Sequence, residues 1–500
     1  MNRRESIQSV LGLSSVVGLA ALGAGMPGRA HALAGNAGDF ASSYAQIPER
    51  YGATTVRFDR ALPDGLSGTL FRNGPARMVR GDTRYHHWFD GDGMIQAFRF
   101  SGQSLRHQGR MVATRKLSAE ADAGRFLWSA FGTSFADSRS VRQPDDINSA
   151  NISVLPVQDE VLALWEGGSA WRIDPSTLET KGRRVFSPST DGLPFSAHPK
   201  VDPSGTIWNF GYMSGSGKLV LYELTAAGSL KRARLIDAPN AEMVHDFAIT
   251  ERYLVFVLMP LRYDRRPGRG GSSFMDRFQW DAEGHVDILL VDKNSLTVAH
   301  RFEVAPFFAF HFGNAWEDGE TVRIEVARAA AFKPLMNVIT QATRGEPVDP
   351  ISRPPLMELS LNLSGKTASA NDLPVSGVDF PRFDQRFTGR KTSHLFMMSD
   401  ANPEPDITFG FNQLVSLDRR SQRVRRWSYA PRIIAEEHLF VPDQAKGEAN
   451  GWVVGTTFDP ENRTTSLHVF NARGIDDGPI ATATLPVHLP LGLHGQFVAG

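Results

Sequence analysis

The 500-residue chain contains no cysteine. A thiol nucleophile, a disulfide framework, an iron–sulfur cluster and a Cys-ligated zinc are therefore excluded, and any metal has to be held by His or carboxylate. Net charge is absent as well: 54 Lys+Arg balance 54 Asp+Glu. Without a basic field the chain is not expected to bind nucleic acid, and no charged tail points to a charged partner. Long hydrophobic runs are lacking too. The one extended uncharged stretch, Val10 to Met26, is diluted by glycine and falls just short of the roughly 18 residues of a spanning helix.

That stretch has its own reading. Arg3-Arg4 precede it, and Pro27 with Ala30-His31-Ala32 and Ala32-Leu33-Ala34 follow it, as in an export signal with small-residue cleavage sites. Paired arginines point to the twin-arginine route. Residues 1–34 are read as the signal and 35–500 as one exported, periplasmic domain; an uncleaved anchor that keeps the protein at a membrane is the alternative.

What is present is mostly strand. Val161–Trp165, Tyr253–Leu258, Ile288–Val291 and Gly451–Gly455 are short apolar runs bounded by Gly, Pro, Asp or Asn, as in an all-β protein. A weak repeat accompanies them. Ile173-Asp174-Pro175-Ser176, Val291-Asp292-Lys293-Asn294 and Leu417-Asp418-Arg419-Arg420 each read as strand, Asp-led turn, strand. Their spacing suits multiples of a propeller blade, which favours a β-propeller over a sandwich. Two stretches break the pattern: a Gly/Ser-rich loop from Gly268 to Ser273 and an apolar, helix-like run from Phe332 to Ile339. Such insertions are expected above one face, covering a site.

Of 14 histidines, four stand in apolar, Gly- or Pro-marked contexts: His198, His245, His311 and His494. They are so far apart that spacing alone assigns them nothing. The words around them do more. Gly68-Thr69-Leu70-Phe71-Arg72-Asn73-Gly74-Pro75 and His87-Trp88-Phe89-Asp90-Gly91-Asp92-Gly93-Met94 resemble the N-terminal signature of the carotenoid cleavage oxygenase family. Ala197-His198-Pro199-Lys200, His245-Asp246-Phe247-Ala248, His311-Phe312-Gly313-Asn314 and Pro490-Leu491-Gly492-Leu493-His494-Gly495 resemble its four ligand motifs, in order. The likeness runs from about Gly68 to Phe497.

The resemblance implies a seven-bladed β-propeller with a cap of loops and short helices over one face. On its axis it implies one Fe(2+) per chain, held by His198, His245, His311 and His494, with positions left for O2 and substrate. It also implies carboxylates that accept the second N–H of the ligand rings: Glu166 for His245, Asp379 for His311 and Glu437 for His494. Asp379 stands where the family has Glu, so a direct bond to His311 is expected to need backbone movement or a bridging water. No side chain beyond the metal centre is expected to be catalytic.

The implied reaction is cleavage of a conjugated C=C bond by O2 into two carbonyl products. Trp165 occupies a position where the stilbene-cleaving branch typically has Lys, which favours a carotenoid or apocarotenoid over a stilbene. Phe307, Phe308 and Phe310 are read as further substrate wall. A stilbene dioxygenase and a non-catalytic propeller that binds an apolar ligand are the alternatives. Peripheral membrane contact is read into Phe332, Leu335, Met336, Val338 and Ile339, flanked by Arg265, Arg266 and Arg269, with burial under the cap as the competing reading. His87 and the Asp90-Gly91-Asp92-Gly93 segment are taken as a structural hairpin with positive-φ turn positions. His31, His107, His285, His300, His394, His438, His468 and His488 are taken as surface or packing residues.

Overall fold

The computed structural model describes residues 38–266, 272–329, 331–401 and 410–500. The export signal and Arg269 lie outside the described residues. Among the described residues, seven antiparallel sheets of four or five strands succeed one another along the chain, with two two-stranded ribbons beside them. Blade 1 has five strands and each of the others four, wound in sequence order from the innermost strand outward. The ring is closed by the C-terminal strand His494–Ala499, which pairs antiparallel with Gly68–Arg77 and becomes the innermost strand of blade 1. Chain ends that share one blade make closure a matter of backbone hydrogen bonds, and no disulfide is needed.

The continuous apolar runs follow from burial on both faces. In Tyr253–Leu258 every residue is buried. Leu254, Phe256 and Leu258 pack toward blade 3 with Phe210, Leu221 and Phe247, while Tyr253, Val255 and Val257 pack toward blade 5 with Phe308 and Ile324. Successive side chains point to opposite faces of a strand, so a blade sandwiched between two others is apolar at every position. Each side chain the size of Phe256 contributes about 1.5–3 kcal/mol on full burial. Every interface between neighbouring blades has such a cluster.

The Asp-led turns occupy one structural position. Asp174, Asp292 and Asp418 each begin the hairpin between the third and fourth strands of blades 2, 4 and 6. In each, Oδ1 accepts backbone N–H groups two and three residues on, and the turn ends on a left-handed residue: Leu178, Leu296 or Gln422. Blade 5 makes the same turn with Asn362 in place of Asp and Lys366 left-handed. The repeat skips blades because its acceptor is not always Asp.

In a sheet that runs up and down, links from one blade to the next and loops between second and third strands emerge at the same face. The long insertions obey this. They run from 112 to 152 between blades 1 and 2, with the helix Arg115–Ala123, and from 259 to 285 in blade 4. Another spans 331 to 354 in blade 5, with the helix Phe332–Arg344. Together their described residues form the cap. Among the described residues no helix is long and apolar enough to cross a membrane.

One expectation is corrected, and of two readings of the apolar run 332–339 burial under the cap is the one seen. Asp90-Gly91-Asp92-Gly93 is not a hairpin turn: a 3-10 turn, Trp88–Asp90, runs through Gly91 (φ −64°) into the strand Asp92–Ser101, and Gly93 is not left-handed. Its glycines answer to close packing, since a Cβ on Gly93 would lie 2.1 Å from the Ala150 carbonyl oxygen. His87 caps this turn from a fully buried position, its Nδ1 accepting the Phe89 N–H. The proposed membrane patch is mostly interior: Phe332, Met336, Val338 and Ile339 are buried, and only Leu335 is partly accessible. Apolar residues spaced three and four apart put one helix face down on the core. Arg265 and Arg266 are exposed, with Arg266 paired to Asp264.

Candidate metal centre

Each of the four histidines arrives at the propeller axis by the same device. His311 lies in the innermost strand of blade 5 and His494 opens that of blade 1, while His198 and His245 sit just ahead of the innermost strands of blades 3 and 4. Adjacent Nε2 atoms are 2.9 Å apart for His198 and His245, 3.2 Å for His245 and His311, and 3.1 Å for His311 and His494.

Three of the rings are held from behind. Nδ1 of His245 bonds Glu166 Oε1. Nδ1 of His311 bonds Asp379 Oδ1 at 2.7 Å, and Nδ1 of His494 bonds Glu437 Oε1 at 2.9 Å. Glu166 accepts a second bond from the Tyr212 hydroxyl at 3.0 Å, and Glu437 accepts the Gly495 N–H at 2.9 Å. The bond from Asp379 is direct. Phe380 is left-handed (φ 52°) and the strand register shifts between Asp379 and Arg382, so the backbone supplies the reach that the shorter side chain lacks.

Carboxylate acceptors assign the proton of these three rings to Nδ1, which leaves the Nε2 lone pairs facing one another. These three rings present no donor to the centre, and three converging lone pairs beside a fourth imidazole suit a cation. The separations fit one: an ion with metal–nitrogen bonds of about 2.1 Å holds neighbouring ligand atoms about 3.0 Å apart. Two of the rings, His198 and His494, are also held toward the neutral form. Burial, with the other three imidazoles, pushes His198 well below its ordinary range. Burial likewise takes His494 down to about 4 against the pull of Glu437. For Glu437 burial acts upward, but Arg382 and His494 outweigh it and hold the carboxyl well below the usual range.

Three residues that sequence reading passed over complete the shell. Asp246 bonds the Phe247 and Phe312 N–H groups and Lys200 Nζ at 2.7 Å, tying the His245 loop to the His311 strand. Tyr212 braces Glu166, and Arg382 places Nε and Nη2 2.8 and 2.5 Å from Glu437 Oε1. Asp246 follows His245, and Arg382 follows Asp379-Phe380-Pro381, so adjacency to a ligand motif was the available signal.

The cluster separates two cavities. A large one of about 1150 Å³ touches His245, His311 and His494. Trp88, Phe89, Phe131, Trp165 and Phe310 face it, and the cap helix adds Leu335, Val338 and Ile339. Phe310 meets His245 edge-on at 5.0 Å. Phe307 and Phe308 do not face it: both are buried in the core between blades 4 and 5, where Phe308 supports Phe310 edge-on at 4.9 Å. A smaller cavity of about 100 Å³ touches His198, His311 and His494, with Lys200, Asp246 and Arg382 among its walls.

Comparison with known proteins agrees with this geometry. The sequence profile of the retinal pigment epithelial membrane protein (RPE65) family matches residues 44–499. The chain is 28% identical over 477 residues to an apocarotenoid-15,15'-oxygenase of Synechocystis, covering 92% of this chain and 96% of that one. It is 29% identical to a lignostilbene-alpha,beta-dioxygenase isozyme III of Sphingomonas paucimobilis, covering 87% and 92%. The crystal structure of the cobalt-substituted Synechocystis enzyme superposes with a TM-score of 0.85 at 26% identity, over 93% of this chain and 99% of that one. With its seven blades, its four converging histidines and a match over nearly the whole described chain, the protein belongs to the RPE65 family, that of the carotenoid cleavage oxygenases.

Proposed function

We propose that this protein is a non-haem Fe(II) dioxygenase that cleaves a conjugated C=C bond of a carotenoid or apocarotenoid with O2 into two carbonyl products. The observation that carries the reading is the four-imidazole cluster, with the lone pairs of three rings turned inward, at the wall of a large aromatic cavity. His198, His245, His311 and His494 would hold the ion, which when bound supplies oxygen activation at a centre of neutral ligands with open positions.

The chain's own part is placement. Glu166, Asp379 and Glu437 fix ring orientation by accepting Nδ1–H, so the Nε2 atoms are aimed before any ion arrives. The cap helix and the aromatic wall exclude water and give an extended apolar molecule a surface to lie on, with Phe310 beside His245 and Trp165 next to Glu166. The scheme requires no proton from a side chain. An indole at position 165 stacks on a polyene and offers a phenol oxygen no cation, which favours a carotenoid-type substrate over the stilbene named for the Sphingomonas relative.

The test uses iron-loaded protein with carotenoids, apocarotenals and stilbenes under labelled O2, read by mass spectrometry. Paired labelled carbonyl products from polyenes, lost in His245→Ala, support the reading. Cleavage of stilbenes alone replaces the substrate class, and intact substrates beside bound iron leave a propeller that only binds. Residues 1–34 are proposed as a twin-arginine signal that places the enzyme in the periplasm. A mature N-terminus far from residue 35, or a protein retained in the cytoplasmic fraction, contradicts it.

A further inference from the structure

Charge around the histidine cluster can be counted from its contacts. Three carboxylates bond the ligand rings directly: Glu166, Asp379 and Glu437. Two further buried carboxylates carry their own cations, Asp246 with Lys200 at 2.7 Å and Glu436 with Arg72 at 3.4 Å, and drop out of the count. Glu166 and Asp379 receive only neutral donors, the Tyr212 hydroxyl and the Phe380 N–H. Glu437 differs. Its Oε1 takes the His494 ring N–H and two N–H groups of Arg382. Glu437 is 1% exposed and Arg382 22%, so solvent reaches this pairing only from the guanidinium side.

We propose that Arg382 sets the oxidation state of the ion that the centre holds, by cancelling one of the three carboxylates. Three negative charges and one guanidinium leave two to be balanced, so a divalent ion completes a neutral buried site and a trivalent ion leaves an excess positive charge. An uncompensated buried charge is costly, and groups behind the ligands tune the ion's potential. Arg382 touches neither the ion's position nor the large cavity; it is a positioning residue that acts through Glu437. The inference rests on the iron assignment above and adds to it which residue poises the iron.

The experiment compares the full chain with Arg382→Met and Arg382→Lys, each loaded anaerobically with Fe(II). The samples are equilibrated with mediators of known potential, which accept the single electron lost when Fe(II) becomes Fe(III). The Fe(III)/Fe(II) ratio is read by electron paramagnetic resonance, and Zn(II) affinity serves as a redox-silent control. R382M is expected to raise the ratio at least about tenfold at a given mediator potential, equivalent to about 59 mV for one electron. It should also bind Zn(II) at least as well as the native chain. R382K keeps the charge and is expected to stay within roughly twofold of native.

An unchanged ratio in R382M overturns the proposal. So does an equal shift in R382K, and so does weakened Zn(II) binding in both variants without a redox shift, which makes Arg382 a structural brace. Should R382M fail to fold, Arg382→Gln removes the charge while keeping an amide donor and carries the same expectation. A native chain that takes up no iron at all defeats the functional reading instead, a result separate from any of these.

Discussion

Asn73 and His494 face each other across the strand pair that closes the propeller ring. The Asn73 carbonyl accepts the Leu493 N–H at 2.8 Å, and its side-chain amide donates to the Ala150 and Ser153 carbonyls at 2.8 and 2.9 Å. One asparagine thus joins its own strand, Gly68–Arg77, to the closing strand that begins with His494 and to the first strand of blade 2.

Closure and ligand placement should therefore fail together. Asn73→Ala strands two buried carbonyl oxygens and is expected to cost about 1–3 kcal/mol, measured by denaturant unfolding. Metal affinity should fall in the same variant, because the lost side-chain bonds hold in place the strand against which the His494 strand is registered. A destabilised Asn73→Ala with native metal affinity would show that the two are independent.

The Asp379–His311 bond is the second place to intervene. Asp379→Asn keeps a carbonyl oxygen but loses the charge that makes His311 a stronger donor to the ion. Its metal affinity is expected to drop about 10–100-fold, read by competition with a chelator. Asp379→Glu, which restores the residue expected at this position, should stay well above Asp379→Asn if the strand can give up its left-handed Phe380.

Trp165 tests the substrate wall. Trp165→Ala removes an indole from the cavity next to Glu166 and is expected to raise KM for a polyene, with a loss of about 1–3 kcal/mol in kcat/KM. Trp165→Lys should lose polyene turnover further and gain activity on hydroxystilbenes. Unchanged KM in Trp165→Ala would remove this residue from the substrate path.

Stability should respond to pH through Glu325. Burial pushes its carboxyl up to about 7 despite Arg419 at 2.8 Å. A raised carboxyl means that the folded state binds the proton more tightly than the unfolded chain. Its contribution is full below the unfolded value near 4.3 and is lost as pH rises through about 7. Glu325→Gln should therefore unfold with a smaller fall in stability between pH 5.5 and 8 than the native chain, measured by thermal melts. A fall of the same size in both would assign the pH dependence elsewhere.

Sequence reading singled out the four histidines that converge and the carboxylates that bond three of them, because both are words along the chain, a histidine or carboxylate in a short apolar motif. It fared less well where membership depends on which way a side chain turns. Phe307, Phe308 and Phe310 are equivalent in sequence, yet only Phe310 faces the cavity, because register shifts in the strand Phe308–Asp318 decide where each ring goes. Phe332, Met336 and Ile339 read equally as a surface patch or as core, and the packing of the helix on blades 4 and 5 decided for core. The Asp90–Gly93 segment misled for a related reason: glycine serves close packing as readily as it serves a turn.

By itself, then, the sequence determined the class of fold, the absence of cysteine chemistry and the four imidazoles. Strand periodicity, composition and short motifs are local properties that survive without coordinates. Tertiary structure alone decided what converges. Residues as distant as Glu166 and His245, or Arg382 and Glu437, meet because innermost strands and the ends of the strands beside them converge on one axis. The direct reach of Asp379, the charge count around the cluster and the division into two cavities are all consequences of that closure. No spacing along the chain encodes them, since each depends on where the ring brings different blades together.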